Sequence, residues 1–273
     1  MGGAVMNLFS QIMYYLNGDD LKNILSLDLQ HYIYGAYVFV VDLQKTVIAP
    51  VAYALLAIFI LLEFQKISLK VEGAGGAATL GFEMIIKSFV KFIICYVVIL
   101  KIQLILDGII AITSSLTNNI LNGAGQSHLN DLYSKVNAVV RSMAWWDQLV
   151  ILLVFCIMFL AALVIRVLVQ VTIYIRFLEL YIFCAMAPIP MGALPSQEFS
   201  SLAKGFFKNF AATGLQSCFI ALVLVVYPFL FDQILSNYSN GIWGIILGMT
   251  VYMIALLFSI NKTKGWAKTL VSA

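Results

Sequence analysis

Three lysines recur along one predicted helix whose other residues are mostly apolar. Lys87, Lys91 and Lys101 fall within an arc of about 80° on a helix that advances ~100° per residue, with Glu83 on the same side. Each charge costs roughly 2.5–3.5 kcal/mol at the centre of a membrane helix. The stripe could therefore line an aqueous path or face acidic groups of a partner helix. Alternatively, the lysines could reach the two membrane interfaces by extending their side chains.

A second group of polar residues interrupts the longest apolar segment of the chain. It consists of Arg166, Gln170, Arg176 and Glu179. Arg176 and Glu179 are three residues apart, so on a helix they can form an ion pair that lowers the cost of burying both. The pattern is compatible with a buried interhelical or channel-lining role and equally with placement at a membrane interface.

No residue pattern indicates catalysis or a bound cofactor. The sequence has neither a G-x-S-x-G nor an H-E-x-x-H motif, and its two histidines, His31 and His128, are far apart. The glycine cluster at 73–81 lacks the Lys-Ser/Thr of a phosphate-binding loop. The four cysteines stand in apolar runs without CxxC spacing. We therefore expect no enzyme activity, no metal and no cofactor.

The composition indicates an integral membrane protein. Of the 273 residues, 62% are hydrophobic and only 11% are charged, and the mean hydropathy is +0.98. Soluble domains carry about a quarter charged residues. Several runs also approach the ~20 apolar residues that cross a bilayer. This balance excludes a disordered chain, a disulfide-stapled secreted module and a soluble nucleic-acid-binding domain.

The apolar runs predict an all-α bundle of about five transmembrane helices, with six as the alternative. We expect spans at about 45–63, 84–106, within 148–194, at 209–231 and at 241–260. Six spans would result if 148–194 formed a hairpin. A break is predicted at Pro188 and Pro190, and Gly244 and Gly248 form a GxxxG motif suited to close helix packing.

These spans divide the chain into five predicted regions. Residues 1–45 form an N-terminal amphipathic segment at the membrane interface, in which Val5, Phe9, Ile12 and Leu16 follow helical spacing. Residues 46–106 contain the first two spans and a glycine-rich loop, and residues 107–147 form a hydrophilic loop. Residues 148–261 form the C-terminal bundle, with the proline-broken segment at 187–195. Residues 262–273 form a basic tail.

The distribution of lysines predicts the orientation. Lysines flank the first loop, the segment near residue 204 and the C-terminal tail, whereas the loop at 232–240 has neither lysine nor arginine. Because basic loops stay on the cytoplasmic side, we expect an external N-terminus, an external loop at 107–147 and a cytoplasmic C-terminus.

Three segments resemble the TrbL family of polytopic inner-membrane channel subunits of type IV secretion systems, in the compact form of Gram-positive conjugative elements. They are RFLELYIFCAMAPIPMGAL at 176–194, FFKNFAATGLQSCFIALVLVVYP at 206–228 and WAKTLV at 266–271, within a likeness strongest over 148–271. On this resemblance Glu179, Pro188, Pro190, Lys208 and Asn209 match the recurring block of the family.

The resemblance implies a function without enzyme activity. The chain would sit in the cell membrane as a channel or scaffold subunit of a conjugation machine. Its partners would be the other membrane subunits and ATPases, in an oligomer, and its transient cargo would be single-stranded DNA with its relaxase. The residues themselves leave two alternatives open, a small-solute permease and a purely structural assembly subunit.

Overall fold

The chain is almost entirely helical in the part that its computed structural model describes, namely residues 2–17, 19–73, 78–123, 134, 136–138, 140–141, 144–196, 198–237 and 242–272. No strand occurs in these ranges, which confirms the predicted fold class. The helices are α1 (Gly2–Asn17), α2 (Asp19–Ser26), α3 (Leu29–Tyr32), α4 (Tyr34–Leu43), a π-helical turn (Gln44–Ile48), α5 (Ala49–Gly73), α6 (Ala78–Leu100), α7 (Ile102–Asn122), α8 (Trp145–Met186), α9 (Pro188–Gly192), α10 (Ser200–Asn237) and α11 (Ile242–Ser272).

Five stretches of the described chain are long and apolar enough to cross a membrane, as the sequence predicts. They are Tyr34–Gly73, Ile102–Asn122, Trp145–Gly192, Ser200–Leu230 and Ile246–Ser272. The chain is therefore a multi-pass membrane protein. The bounds of the first two stretches differ most from the predicted ones. The fourth stretch also begins ahead of residue 209, and the fifth continues through the predicted tail to Ser272.

The first stretch begins at Tyr34, eleven residues ahead of Lys45. Asp42 and Lys45 end the apolar run in the sequence, but they do not end the helix. The backbone stays hydrogen-bonded through them, because the Gln44 N–H donates to the carbonyls of Val40 and Val41. A charged side chain can point away from a helix without disturbing its backbone bonds.

The second stretch lies C-terminal to the predicted one. Helices α6 and α7 follow each other across Lys101, whose N–H donates to the Val97 carbonyl at 3.0 Å. Helix α7 then continues to Asn122, so it occupies the first part of the segment that we expected to be an external loop. Its serine and threonine residues do not break the helix, since Thr117 bonds back to the Thr113 carbonyl at 2.8 Å. Residues 124–133 lie outside the described part of the chain.

Helix α8 is a single helix of 42 residues, so the hairpin alternative for 148–186 is not formed. At ~1.5 Å per residue it is about 63 Å long, roughly twice the thickness of a bilayer core. It ends at Met186, and Pro188 begins the short helix α9. Helix α8 thus ends just ahead of the two prolines, because proline lacks the N–H that would continue the backbone hydrogen bonds of the helix.

The described chain forms two compact units, and the division falls within α7, α8, α10 and α11. Unit 1 comprises 1–27, 113–176 and 215–269, and unit 2 comprises 28–112, 177–214 and 270–273. In unit 1, α1 buries Val5, Phe9, Ile12, Met13 and Leu16. Phe9 stacks on Phe155 of α8, with ring centroids 6.3 Å apart. Protein therefore covers the apolar face of α1, and the placement of this segment at the membrane interface stays a prediction.

Unit 2 is built around an antiparallel pair of helices. Helix α5 packs on α6 through two ring pairs, Tyr53 with Tyr96 at 5.3 Å and Phe64 with Phe89 at 6.0 Å. Between them lies an open apolar cavity of about 460 Å³ whose wall includes Leu56, Ile60 and Phe92. Helix α6 is therefore packed on one side, and its other side remains exposed.

Candidate functional site

The exposed side of α6 carries the predicted lysine stripe. Lys87, Lys91 and Lys101 are all exposed, alongside the exposed apolar residues Val90 and Val97. Lys87 and Lys91 are one helical turn apart, whereas Lys101 lies at the junction of α6 and α7. The three cations thus share the face of α6 that does not pack on α5. We call them the α6 lysines.

The α6 lysines differ in how much of their charge is compensated. Lys87 Nζ lies 2.6 Å from Glu83 Oε1 one turn earlier, and both side chains are more than 60% exposed. The hydrogen bond and the positive charge of Lys87 lower the pKa of the Glu83 carboxyl, so this pair is ionised at neutral pH. Lys91 and Lys101 belong to none of the ion pairs found in the described residues. Their positive charges are therefore less compensated than that of Lys87.

Arg166 belongs to unit 1. Its Nη2 atom is 3.2 Å from Asp20 Oδ2, and its guanidinium lies 4.8 Å from the ring centre of Tyr15. Both interactions join α8 to the N-terminal helices. Arg166 therefore anchors α1 and α2 to α8. The residues next to it in the sequence did not predict this role.

Arg176 is the largest fully buried side chain in the described structure, with 1% of its surface exposed. In unit 1 it lies within electrostatic range of Cys218 on α10. The Cys218 thiol is hydrogen-bonded to the Thr117 hydroxyl at 3.4 Å, and the Thr117 and Ser217 hydroxyl oxygens are 3.0 Å apart. A buried cation needs such polar surroundings, because apolar burial of a charge is costly. Glu179 is half-buried, and its pairing with Arg176 stays a prediction.

The proline break places α9 directly against α5. A Cβ atom added at Gly192 would lie 2.8 Å from the Ala52 carbonyl oxygen, so only glycine permits this approach without a shift. Pro188 is buried and Pro190 half-buried. Nearby, the buried Gln44 of the π-helical turn donates to the Cys184 carbonyl of α8 at 2.6 Å. The first candidate span therefore contacts both the end of α8 and the short helix α9 that follows it.

A polar cluster in unit 2 was missed by the sequence reasoning. Tyr37 of α4 donates its hydroxyl to Asp107 Oδ2 of α7 at 2.8 Å. Gln103 Nε2 donates to Asp107 Oδ1 at 2.9 Å and to the Tyr37 oxygen at 3.3 Å, and Gln30 Nε2 donates to the same oxygen at 3.1 Å. The available signal was the spacing of Gln103 and Asp107, since residues four apart meet on a helix. We call these four residues the Asp107 cluster.

The two glycines predicted for helix packing, Gly244 and Gly248, are both buried in α11. Burial fits a close approach of another helix, because a glycine face lets backbones come together. Their role stays a prediction. The six charged candidates are distributed over α6, its junction with α7 and three positions of α8.

Comparisons with known proteins identify the family. A family model described as TrbL/VirB6 plasmid conjugal transfer like protein matches residues 25–188, which is more than half of the chain. This region includes the α6 lysines and the Asp107 cluster. It overlaps the expected zone of strongest likeness, 148–271, only up to residue 188. No curated protein and no solved structure matches the chain significantly. The chain thus belongs to the TrbL/VirB6-like plasmid conjugal transfer family and is a membrane component of a conjugal transfer system, a type IV secretion machine.

Proposed function

We propose that this chain is a channel or scaffold subunit that contributes to the path of single-stranded DNA and its relaxase across the cell membrane. The observation that carries the proposal is the exposed row of α6 lysines on the unpacked side of a helix. Membership of the conjugal transfer family supports it. The energy for transfer would come from separate ATPases of the same machine.

The physical argument rests on the charge of the cargo. A DNA strand carries one phosphate per nucleotide, and proteins that guide it without reading its sequence use grooves lined with positive charge. Lys91 and Lys101 are exposed and belong to no ion pair among the described residues, whereas the charge of Lys87 is partly compensated by Glu83. Lipid alone is a poor neighbour for three cations on one helix face. An aqueous path along this face would accommodate them.

The cationic face of one helix cannot surround a strand. The proposal therefore requires an oligomer, or neighbouring membrane subunits of the secretion machine, that completes the path. Exposed apolar side chains beside the lysines, such as Val90 and Val97, are suited to contact such neighbours or the lipid bilayer.

The proposal predicts that neutralising the α6 lysines impairs transfer. Replacing Lys87, Lys91 and Lys101 together by Gln should reduce conjugation by roughly tenfold or more, because the attraction to phosphates weakens with each lost cation. Conjugation frequency is measured together with the amount of protein in the membrane. Replacement by Arg, which keeps the charge, should preserve transfer.

Two controls separate this role from simple membrane anchoring. Lys262 and Lys268 on α11 are exposed as well, and their exchange for Gln should leave transfer unchanged. Within the stripe, Lys91→Gln should be more harmful than Lys87→Gln, since Lys87 is already paired with Glu83. Unchanged transfer in the triple variant at normal abundance would refute the proposal and favour the structural assembly subunit.

A further inference from the structure

The carboxylate of Asp107 lies in a candidate membrane span and is bonded by neutral groups alone. Its two oxygens accept one hydrogen bond each, from the Tyr37 hydroxyl and the Gln103 amide. Helix α7 is long and apolar enough to cross the membrane, and Asp107 is in its second turn. A charged carboxylate in such a position is expensive unless a cation or a proton neutralises it.

Among the described residues, the titratable groups that interact electrostatically with Asp107 are Tyr37 on α4, Asp28 ahead of α3 and the Cys184 thiol on α8. None of these groups carries a positive charge. Asp28 is itself bonded to His31, with 2.7 Å between Oδ1 and Nδ1, and the His31 side chain is largely exposed. Asp107 belongs to none of the ion pairs in the described part of the chain. A second carboxylate nearby makes the ionised form still more costly.

One acceptor atom of the cluster also has no hydrogen-bond donor. Gln103 Oε1 is buried and receives no hydrogen bond from the described residues. An ionised carboxylate has no hydrogen to offer, whereas a carboxylic acid has one. A half rotation of the Gln103 amide would turn Oε1 towards Asp107 Oδ1, where that hydrogen could be donated. One added proton therefore neutralises the carboxylate and supplies the donor that Gln103 Oε1 lacks.

We propose that Asp107 is a proton-binding site of this protein, in which Asp107 and Gln103 exchange donor and acceptor roles when a proton enters. In the ionised state the Gln103 amide donates to Asp107 and to Tyr37. In the protonated state Asp107 donates to Gln103 Oε1, and the bond from Gln103 to Tyr37 is lost. Proton uptake thus changes the link between α4 and α7. This site is separate from the α6 lysines and does not depend on the function proposed for them.

Dicyclohexylcarbodiimide tests the proposal, because this apolar reagent reacts with carboxylic acids in apolar surroundings and not with carboxylates. The full chain, purified in detergent, is treated between about pH 6 and about pH 8 and mapped by peptide mass spectrometry. Modification of Asp107 should increase by up to roughly tenfold for each pH unit lowered, as the acid fraction does. Glu83, exposed and paired with Lys87, is the internal control and should stay unmodified.

Variants make the result unambiguous. Asp107→Asn keeps a polar group of similar shape and should remove the modified peptide without affecting the rest of the map. Tyr37→Phe removes a donor to the ionised form, and should therefore increase modification at the upper end of the pH range. Absence of modification in the folded wild-type protein would overturn the proposal. Equal modification at every pH would overturn it as well, because the group would then not exchange its proton.

Discussion

At the scale of single residues, the charges of this chain have different surroundings and different tasks. Arg166 combines an ion pair to Asp20 with a position over the Tyr15 ring, so its planar guanidinium serves two contacts at once. Arg176, ten residues later on the same helix, is fully buried beside polar groups. The α6 lysines remain open. Residue type alone does not distinguish these roles, because each role depends on which side chains of neighbouring helices lie around the charge.

Arg166→Gln should loosen the N-terminal helices by about 1 kcal/mol, which is the usual range for an exposed ion pair together with a cation–π contact. Hydrogen–deuterium exchange of the α1 and α2 amides in the purified protein should accelerate. Arg166→Lys keeps the charge but loses the planar stacking, so an intermediate effect is expected. Gln170→Ala is the control, since Gln170 bonds to Tyr174 of its own helix. Equal exchange in the Arg166→Gln variant and the wild type would contradict the role given to Arg166.

At the scale of elements, the first candidate span packs closely against the end of α8 and the short helix α9. The π-helical turn presents Gln44 to the Cys184 carbonyl, and α9 brings Gly192 against the Ala52 carbonyl. A π turn inserts an extra residue into the helix and thereby re-aims side chains, and such turns are frequent at functional sites. The proline break is therefore part of a packed junction within unit 2.

Gly192→Ala should destabilise this junction by about 1–3 kcal/mol, because its Cβ would lie 2.8 Å from backbone oxygen that cannot rotate away. The thermal unfolding of the detergent-solubilised protein should shift to lower temperature. Gly205→Ala is the matched control in α10, where nothing lies within 4 Å of the added atom. There the better helix propensity of alanine should leave stability unchanged or raise it by up to ~1 kcal/mol. A Gly192 variant as stable as the Gly205 variant would show that α5 and α9 can separate freely.

At the scale of the whole molecule, five candidate spans give an odd number of crossings. With the basic tail in the cytoplasm, the N-terminus is then outside, and this orientation is a proposal from the positive charges. It also places the two ends of the candidate span Ile102–Asn122 on opposite sides of the membrane.

The orientation predicts a labelling pattern for single cysteines in a background without the four native ones. Gly3→Cys, at an exposed position of α1, should react with a membrane-impermeant maleimide in intact cells. Lys268→Cys, exposed on α11, should react only after the cells are permeabilised. Labelling of the Lys268 position in intact cells would reverse the topology or require an even number of crossings.

Much of the architecture was readable from local patterns. Apolar runs of bilayer length predicted the five spans, helical spacing predicted α1, and two prolines predicted the end of α8. Local patterns also misplaced boundaries. The apolar pattern predicts that the first span begins at about residue 45 and that a loop begins at residue 107, whereas the helices start at Tyr34 and continue to Asn122. In both places the backbone of the helix continues, because its hydrogen bonds do not depend on whether a side chain is polar.

The sequence by itself determined the membrane location, the helical class and the presence of a cationic stripe, since these follow from composition and from residues within a few turns of each other. Only the tertiary structure decided which groups meet. Tyr37 and Asp107 are 70 residues apart, and Arg166 and Asp20 are 146 apart. Such pairs depend on how distant helices pack, and no short pattern encodes that. The Asp107 cluster, the contact of Gly192 with α5 and the exposure of the α6 lysines belong to this second kind.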